Sequence, residues 1–504
     1  MFRLDIESGN YAHLAAAEGF LFWESASAPY YGRSEETPDK VMVYDLAKKK
    51  AECYSEETPV FALSPDGKNV IYREGPVFKV GDAAAAPGEA KPVSTELVTE
   101  INPRREWVEI FNEVWRRYRD YFYVSNMHGC DWQEVGQRYS SLLPYAAHRS
   151  DLNYILSEMV SELNCGHTYI EGGDFAQPKR TPVGLAGALF ELDQTANRYR
   201  IAKIYKGQNE EPKYRSPLTE PGIDAAVGDY ILEIDGVELL GSDNPYRLLR
   251  GKSGQVTWKI AKTADGADAR EIVYKPIASE ANLRYLEFVL DRRDRVLEAT
   301  GGKVGYIHVP DMGAEGSYEF LKWYYPQRQM DGLIIDDRNN GGGNISQWIL
   351  MRLNQKVLGT RLGNDRDTPE TYPYNACAAR MVCLINETSA SDGDIFPYYF
   401  REAGLGPIIG KRSWGGVVGI SDRGTLLDGG TVYVPLSATN APDGEYISEG
   451  PGVDPDIVVP QDPKAVAQGH DPQLERGIAE VLNRIKADPP VRPTRPADPV
   501  KPGR

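Results

Sequence analysis

The stretch "MVCLINETSASDGDIFPYYF", Met381–Phe400, joins a continuous apolar run to a helical pattern. Met381–Ile385 has the length and content of a strand buried on both faces, as in a parallel sheet covered by helices. A helix follows from about Asp394, and Ser389 and Ser391 stand in the turn between. A serine there admits two uses. It caps the helix with its hydroxyl, or it attacks a substrate from the lip of the sheet, where backbone N–H groups can hold an oxyanion. Taken alone, the residues leave both open. Two further buried-type strands, "KVGYIHV" (Lys303–Val309) and "GLIIDD" (Gly332–Asp337), alternate with helical patterns and assign residues 281–486 to an α/β core.

A second turn of the same kind follows Gly332–Asp337. "DDRNNGGGN", Asp336–Asn344, carries three consecutive glycines. Such a run costs backbone entropy and is kept where the backbone must approach something closely or take positive φ. An oxyanion hole, a phosphate cradle and a plain loop all fit that description. The P-loop spacing is missing and no GxGxxG follows a strand, which weighs against a nucleotide.

Upstream of the core the patterns change three times. Residues 1–100 read as short strands, "GFLFWES", "KVMVYDL" and "NVIYREG", with a tight turn at Ser64–Lys68. They resemble β-propeller blades, yet a propeller needs about four or more. The segment is therefore a propeller-like remnant or a small β-domain, and Gly81–Pro92 reads as a loop or linker. Residues 101–180 are helical: Trp107, Ile110, Phe111, Val114, Trp115, Tyr118 and Phe122 form one stripe. A second helix is expected from Ser150 as N-cap to near Gly166, which places His167 just past a helix end. Residues 181–280 hold five strand patterns, and "SPLTEPGIDAAVGDYILEIDG" (Ser216–Gly236) resembles PDZ domains. Gly184, Leu185, Ala186 and Gly187 would then be the loop that receives a peptide C-terminus, unless the block is a spacer. Residues 487–504 are proline-rich and read as a disordered tail.

Composition excludes several classes. The 504 residues carry a formal charge of −16, which disfavours nucleic acid and anionic membrane as partners. Five scattered cysteines without CxxC spacing make neither a disulfide framework nor a cysteine zinc site. The six histidines show no ligand spacing, so no metal and no cofactor is expected. No apolar run is long enough to span a bilayer, and the first twenty residues lack the pattern of a signal peptide. His167, in "NCGHT", is by itself a structural or a functional residue.

The order of these signals, helical segment with histidine, PDZ block, glycine-rich turn, serine turn, resembles the carboxyl-terminal processing proteases of family S41, and within them the tricorn branch. The motifs "MHGCDW", "GGGNISQ", "SASDGDIFPYYF", "GKRSWGGVVGI" and "GVDPDI" carry the resemblance. It implies a ClpP/crotonase-like catalytic core with an inserted PDZ domain, and a serine peptidase acting on oligopeptides or unfolded chains. The lysine of the tail-specific branch is replaced here by Gly416, so the Ser-Lys dyad is absent. The tricorn scheme implies Ser391 as nucleophile, His167 as its base and Glu449 as the carboxylate that holds the imidazole. Gly343 and Asp392 would supply the oxyanion N–H groups. Where the family carries a serine before the histidine, this chain has Gly166, at a cost of ~10-fold in rate. Where basic-P1 enzymes place an acid, counting from Gly343 gives Arg361, implying acidic P1 residues; Asp365 or Asp367 stands there if the loop is shifted. The resemblance also implies a homo-oligomer, hexameric in form, and a cytoplasmic location, with the periplasm as the alternative if a leader is removed. A catalytically silent peptide binder of the same fold is the competing reading.

Overall fold

The computed structural model describes residues 4–26, 39–56, 60–365, 369–447, 449–490 and 495–501. The chain divides into two compact units, residues 1–109 with 313–318, and residues 110–312 with 319–504.

The first unit holds two four-stranded antiparallel meanders. Asn10–Ala17, Phe20–Ala26, Lys40–Asp45 and Lys50–Ser55 form one; Phe61–Leu63, Asn69–Glu74, Val77–Asp82 and Lys91–Val93 form the other. Inward residues at alternate positions make their shared core, Phe22, Val41, Val43, Tyr54, Val70 and Tyr72. The Ser64–Gly67 turn closes as expected, Gly67 N–H donating to the Ser64 carbonyl at 2.8 Å with φ +67°. Gly81–Pro92 is less of a linker than its composition implies. Its first two residues end one strand and its last two begin the next, because backbone pairing tolerates Lys91-Pro92 at a sheet edge.

In the second unit, the buried stripe Ile110, Phe111, Val114 and Tyr118 covers the inner face of the helix Pro103–Tyr121. The next long helix runs Arg149–Ser161, and its cap is His148 rather than Ser150: the His148 ring accepts from Ser150 N–H, while Asp151 accepts the Ala147 and His148 N–H groups. This reciprocal capping box outcompetes a lone serine. The helix also stops before Gly166: Asn164 turns the chain at φ 47°, and Cys165–Thr168 lead into the strand Tyr169–Glu171.

The PDZ block forms the expected antiparallel sheet, in the order Ala188–Asp193, Arg198–Ile204, Tyr230–Ile234, Val256–Ala261, Arg270–Tyr274, around buried Trp258, Ile231 and Ile260. Beyond it lies a five-stranded parallel sheet, Val304–His308, Gly332–Asp336, Arg380–Ile385, Ile408–Gly410 and Ile457–Val458. The first two of these are buried at every position, as continuous apolar strands between helical layers must be. The helices Ala281–Thr300 and Pro472–Ala487 pack on this sheet. His308, inside the first strand, is buried with both ring nitrogens bonded, to Tyr285 and the Arg338 carbonyl, and is a core histidine. Of the proline-rich tail, Asp488 and Pro489 are held, their carbonyls accepting from Arg380; residues 491–494 and 502–504 of that reading lie outside the described residues. Among the described residues no helix is long and apolar enough to cross a membrane.

Candidate active site

Ser391 is the last residue before the helix Asp392–Glu402, at φ 59°, ψ −122°. That conformation is strained for any residue but glycine, and strain of this kind persists only where the surroundings impose it. Ser389 imposes part of it. Its hydroxyl donates to the Asp337 carbonyl at 2.8 Å and accepts from Asn386 N–H, tying the turn to the neighbouring strand end. Ser391 begins the helix through its carbonyl, which accepts from Asp394 and Ile395 N–H groups, while its hydroxyl makes no capping bond. The capping role thus falls to the backbone, and the hydroxyl is spare.

The glycine turn is packed on this serine. A Cβ on Gly342 would lie 2.4 Å from the Ser391 Cβ and 3.0 Å from its Oγ, so no side chain fits there. Gly342 has φ +88°, and its carbonyl accepts from Met312 N–H at 2.8 Å; Asn344 N–H donates to the Met312 carbonyl at 2.7 Å. Gly343 N–H lies between and outside this ladder. The Asp392 carboxylate fixes the second loop against the first by accepting from Ser346 N–H at 2.8 Å and from the Ser346 hydroxyl. Asn340 adds a third tie, its carbonyl accepting from Ala390 N–H at 2.8 Å.

His167 is buried, and Nδ1 donates to the Val418 carbonyl at 2.8 Å. A carbonyl only accepts, so Nδ1 carries the proton and Nε2 keeps a lone pair. The rings of Tyr169 and Trp414 meet the imidazole edge to face at 5.7 and 5.6 Å. Trp414 N–H in turn donates to the Ser389 carbonyl at 2.9 Å, which places the histidine's neighbour on the serine turn. Burial pushes the imidazole below its usual pKa, opposed by the Val418 bond and by the nearby Glu449 charge.

Glu449 does not hold the imidazole in the way the triad analogy implies. Its Oε1 accepts from Gly166 N–H at 3.0 Å and from the Cys165 thiol; its Oε2 accepts from Val417 N–H at 2.7 Å and Val418 N–H at 3.3 Å. The carboxylate clamps together the two segments that carry His167 and its Nδ1 acceptor. Charge acts on the ring through space, and orientation comes from Val418. A cavity of about 310 Å³ opens beside Glu449 and Val418, lined also by Tyr123, His128, Asn164 and Tyr446.

Asp394, one turn into the serine helix, accepts from Gly415 N–H at 2.8 Å and so holds the Trp414–Val418 loop. It is fully buried, its second oxygen has no partner among the described residues, and burial pushes its pKa up to about 6. Neither Asp394 nor Val418 was a sequence candidate. An acid in a first helical turn reads as a dipole partner, and a backbone carbonyl leaves no sequence signal. Arg361 is exposed in a short hairpin, opposite Glu370, and no hydrogen bond among the described residues joins it to Ser391, His167 or Glu449. Asp365 is in the exposed turn that follows, and Asp367 lies outside the described residues. In the PDZ loop, Gly184 and Leu185 N–H groups already donate to the Leu249 and Ile277 carbonyls, and Ala186 is buried.

Three family descriptions match the chain in order: Tricorn protease C1 domain over residues 103–161, Tricorn protease PDZ domain over 184–279, and Peptidase family S41 over 303–459. The chain belongs to the tricorn protease family. Tricorn protease homolog 1 of Streptomyces coelicolor is 32% identical over 505 residues, covering 97% of this chain and 47% of the relative. The tricorn protease of Thermoplasma acidophilum is 31% identical, covering 98% of this chain and 46% of that one. The crystal structure of the tricorn protease superposes with a TM-score of 0.86 at 30% identity, over 96% of this chain and 47% of that one. The chain spans about half the length of the tricorn relatives it matches.

Proposed function

We propose that this tricorn-family chain is a serine peptidase that hydrolyses oligopeptides or unfolded polypeptides through an acyl-enzyme. The observation that carries the reading is the spare hydroxyl of Ser391, held at a strained strand-to-helix turn against a glycine turn with no room for a side chain. In this reading Ser391 attacks the carbonyl carbon and His167 Nε2 takes its proton, then returns it to the leaving amine. Gly343 and Asp392 N–H groups receive the oxyanion, helped by the positive end of the serine helix. Val418 fixes the tautomer, and Glu449 stabilises the imidazolium from its clamp. Water then repeats the attack on the acyl-serine.

Hydrolysis of fluorogenic peptides by the chain and by Ser391→Ala tests this. Activity is expected in the first and lost by ~10³-fold or more in the second, with circular dichroism unchanged. Undiminished hydrolysis by Ser391→Ala overturns the assignment. A serine-reactive phosphonate that labels nothing favours the silent binder of the same fold.

Further elements of the reading rest on the family resemblance. Residues 1–100 would be a remnant of a propeller, 101–180 and 281–486 a ClpP/crotonase-like catalytic core, and 181–280 its inserted PDZ domain. The chain would form a homo-oligomer, hexameric in the tricorn manner, in the cytoplasm. Arg361, if it faces an S1 pocket in that assembly, would select Asp or Glu at P1. Matched peptides with Lys, Leu and Glu at P1 decide the last point: faster turnover of Lys removes it.

A further inference from the structure

The PDZ match ends at residue 279, and the next residue turns its side chain back into the domain. Glu280 Oε1 accepts two consecutive N–H groups, from Gly187 and Ala188, each at 3.1 Å. Gly187 has φ +74°, a conformation that aims successive amides at one point and favours glycine. Glu280 Oε2 accepts from Arg284 at 3.0 Å, and that guanidinium lies over the Tyr205 ring at 5.1 Å. The carboxylate is only 8% exposed. Glu280 also occupies the N-cap position of the helix Ala281–Thr300, yet its side chain makes no capping bond there. Its charge is spent on the PDZ loop instead of on its own helix.

The surroundings fit one purpose. The strand that leaves the loop, Ala188–Asp193, stands at the sheet edge, paired on one side with Arg198–Ile204 and with no strand on the other among the described residues. A free edge headed by converging N–H groups is how a PDZ fold receives an extended peptide and its terminal carboxylate. Leu283, buried in the first turn of the following helix, closes on the same loop: a Cβ on Gly187 would come within 3.2 Å of its Cδ1.

We propose that Glu280 fills the PDZ carboxylate cradle from within, standing in for the terminal carboxylate of a peptide, and closes the domain to protein tails. The Gly187–Ala188 end of the loop is then a carboxylate site whose resident ligand is the chain itself. Free tails reach it only when Glu280 withdraws.

The test is made on the full chain carrying Ser391→Ala, so that peptides survive. Fluorescein-labelled degenerate hexapeptides are compared as two pools, one with a free C-terminal carboxylate and one amidated. With Glu280 in place the two pools should bind alike. Glu280→Ala should bind the free-acid pool on the order of tenfold more tightly than the amide, the worth of hydrogen bonds to a charged group. Should the unpaired Arg284 unfold that variant, Glu280→Ala with Arg284→Ala keeps the Gly187 and Ala188 amides and is expected to show the same preference. A free-acid preference already at full strength with Glu280 present overturns the proposal. So does its absence in either variant that circular dichroism finds folded. Neither outcome touches the peptidase assignment, which is read from hydrolysis.

Discussion

At the scale of single residues, Gly166 sits one position before His167 with its N–H on Glu449. A Cβ there would lie 3.6 Å from Glu449 Oε1 and 3.9 Å from Trp414, ordinary contacts, so a serine fits and its hydroxyl reaches the carboxylate. Gly166→Ser is expected to raise kcat by up to ~10-fold with little change in KM; a fall in kcat with the fold intact would show that the glycine is needed for the backbone path. On the proposed mechanism, the pH profile follows from His167. Its proton must be off for Nε2 to act, and burial lowers its pKa below 6.5. The acid limb of kcat/KM should therefore lie below the ordinary imidazole midpoint. Glu449 opposes that shift, so Glu449→Gln should move the limb further toward acid while reducing the plateau; a limb moving toward alkali would refute the through-space role. The position of Ser391, between an apolar strand and a helix, was legible in the sequence. That its hydroxyl is spare was not, since a serine's φ and ψ leave no mark in the sequence.

At the scale of elements, the site is a contact between loops, and only part of it could be anticipated. The five PDZ strands and the three core strands announced themselves by alternation or by unbroken apolar runs. The His167 segment did not, because a capping box at His148 starts its helix early and the helix ends early too. The bonds between the serine helix and the Trp414–Val418 loop were invisible for a different reason: they are made by backbone N–H groups onto the buried Asp394. That carboxyl titrates at about 6 in the folded chain against 3.8 as its reference value. Its folded pKa is raised, so its contribution to stability is complete below about 3.8 and is lost as pH rises through about 6. Asp394→Asn cannot titrate. The unfolding temperature of the native chain, relative to that of Asp394→Asn, should decline between pH 4 and pH 7 and stay level above. A difference that is constant across this range would place the proton elsewhere.

At the scale of the whole chain, the parallel sheet of the second unit must be held to the helix that closes it, and the sequence hid how. Arg338, just past the strand Gly332–Asp336, is buried between two carboxylates. It donates to Asp336 Oδ1 at 2.8 Å and Oδ2 at 2.6 Å, and to Asp471 Oδ1 at 2.8 Å. Asp471 is the N-cap of the helix Pro472–Ala487, and its carboxylate also accepts from Leu474 N–H. One guanidinium therefore joins the strand that leads to the glycine turn with the last long helix, across more than a hundred residues of sequence. "DDR" before three glycines looked like part of a binding turn; its arginine is instead a bolt behind that turn. Removing it leaves buried Asp336 without its cation and Asp471 with Arg292 alone, so Arg338→Met should cost about 3–5 kcal/mol in urea unfolding. Replacing all three residues by apolar ones of similar size should cost much less, since the penalty comes from unpaired charge and not from the loss of attraction. The pH dependence has the opposite sign to that of Asp394. Asp471 is depressed to about 2 despite its burial, held there by the Arg338 guanidinium. Its contribution is present above its unfolded pKa of about 4 and fades as pH falls toward 2. The native chain should thus lose stability on acidification more steeply than the apolar triple variant below about pH 4. Parallel acid titrations of the two, followed by circular dichroism, would expose an error if their curves coincide.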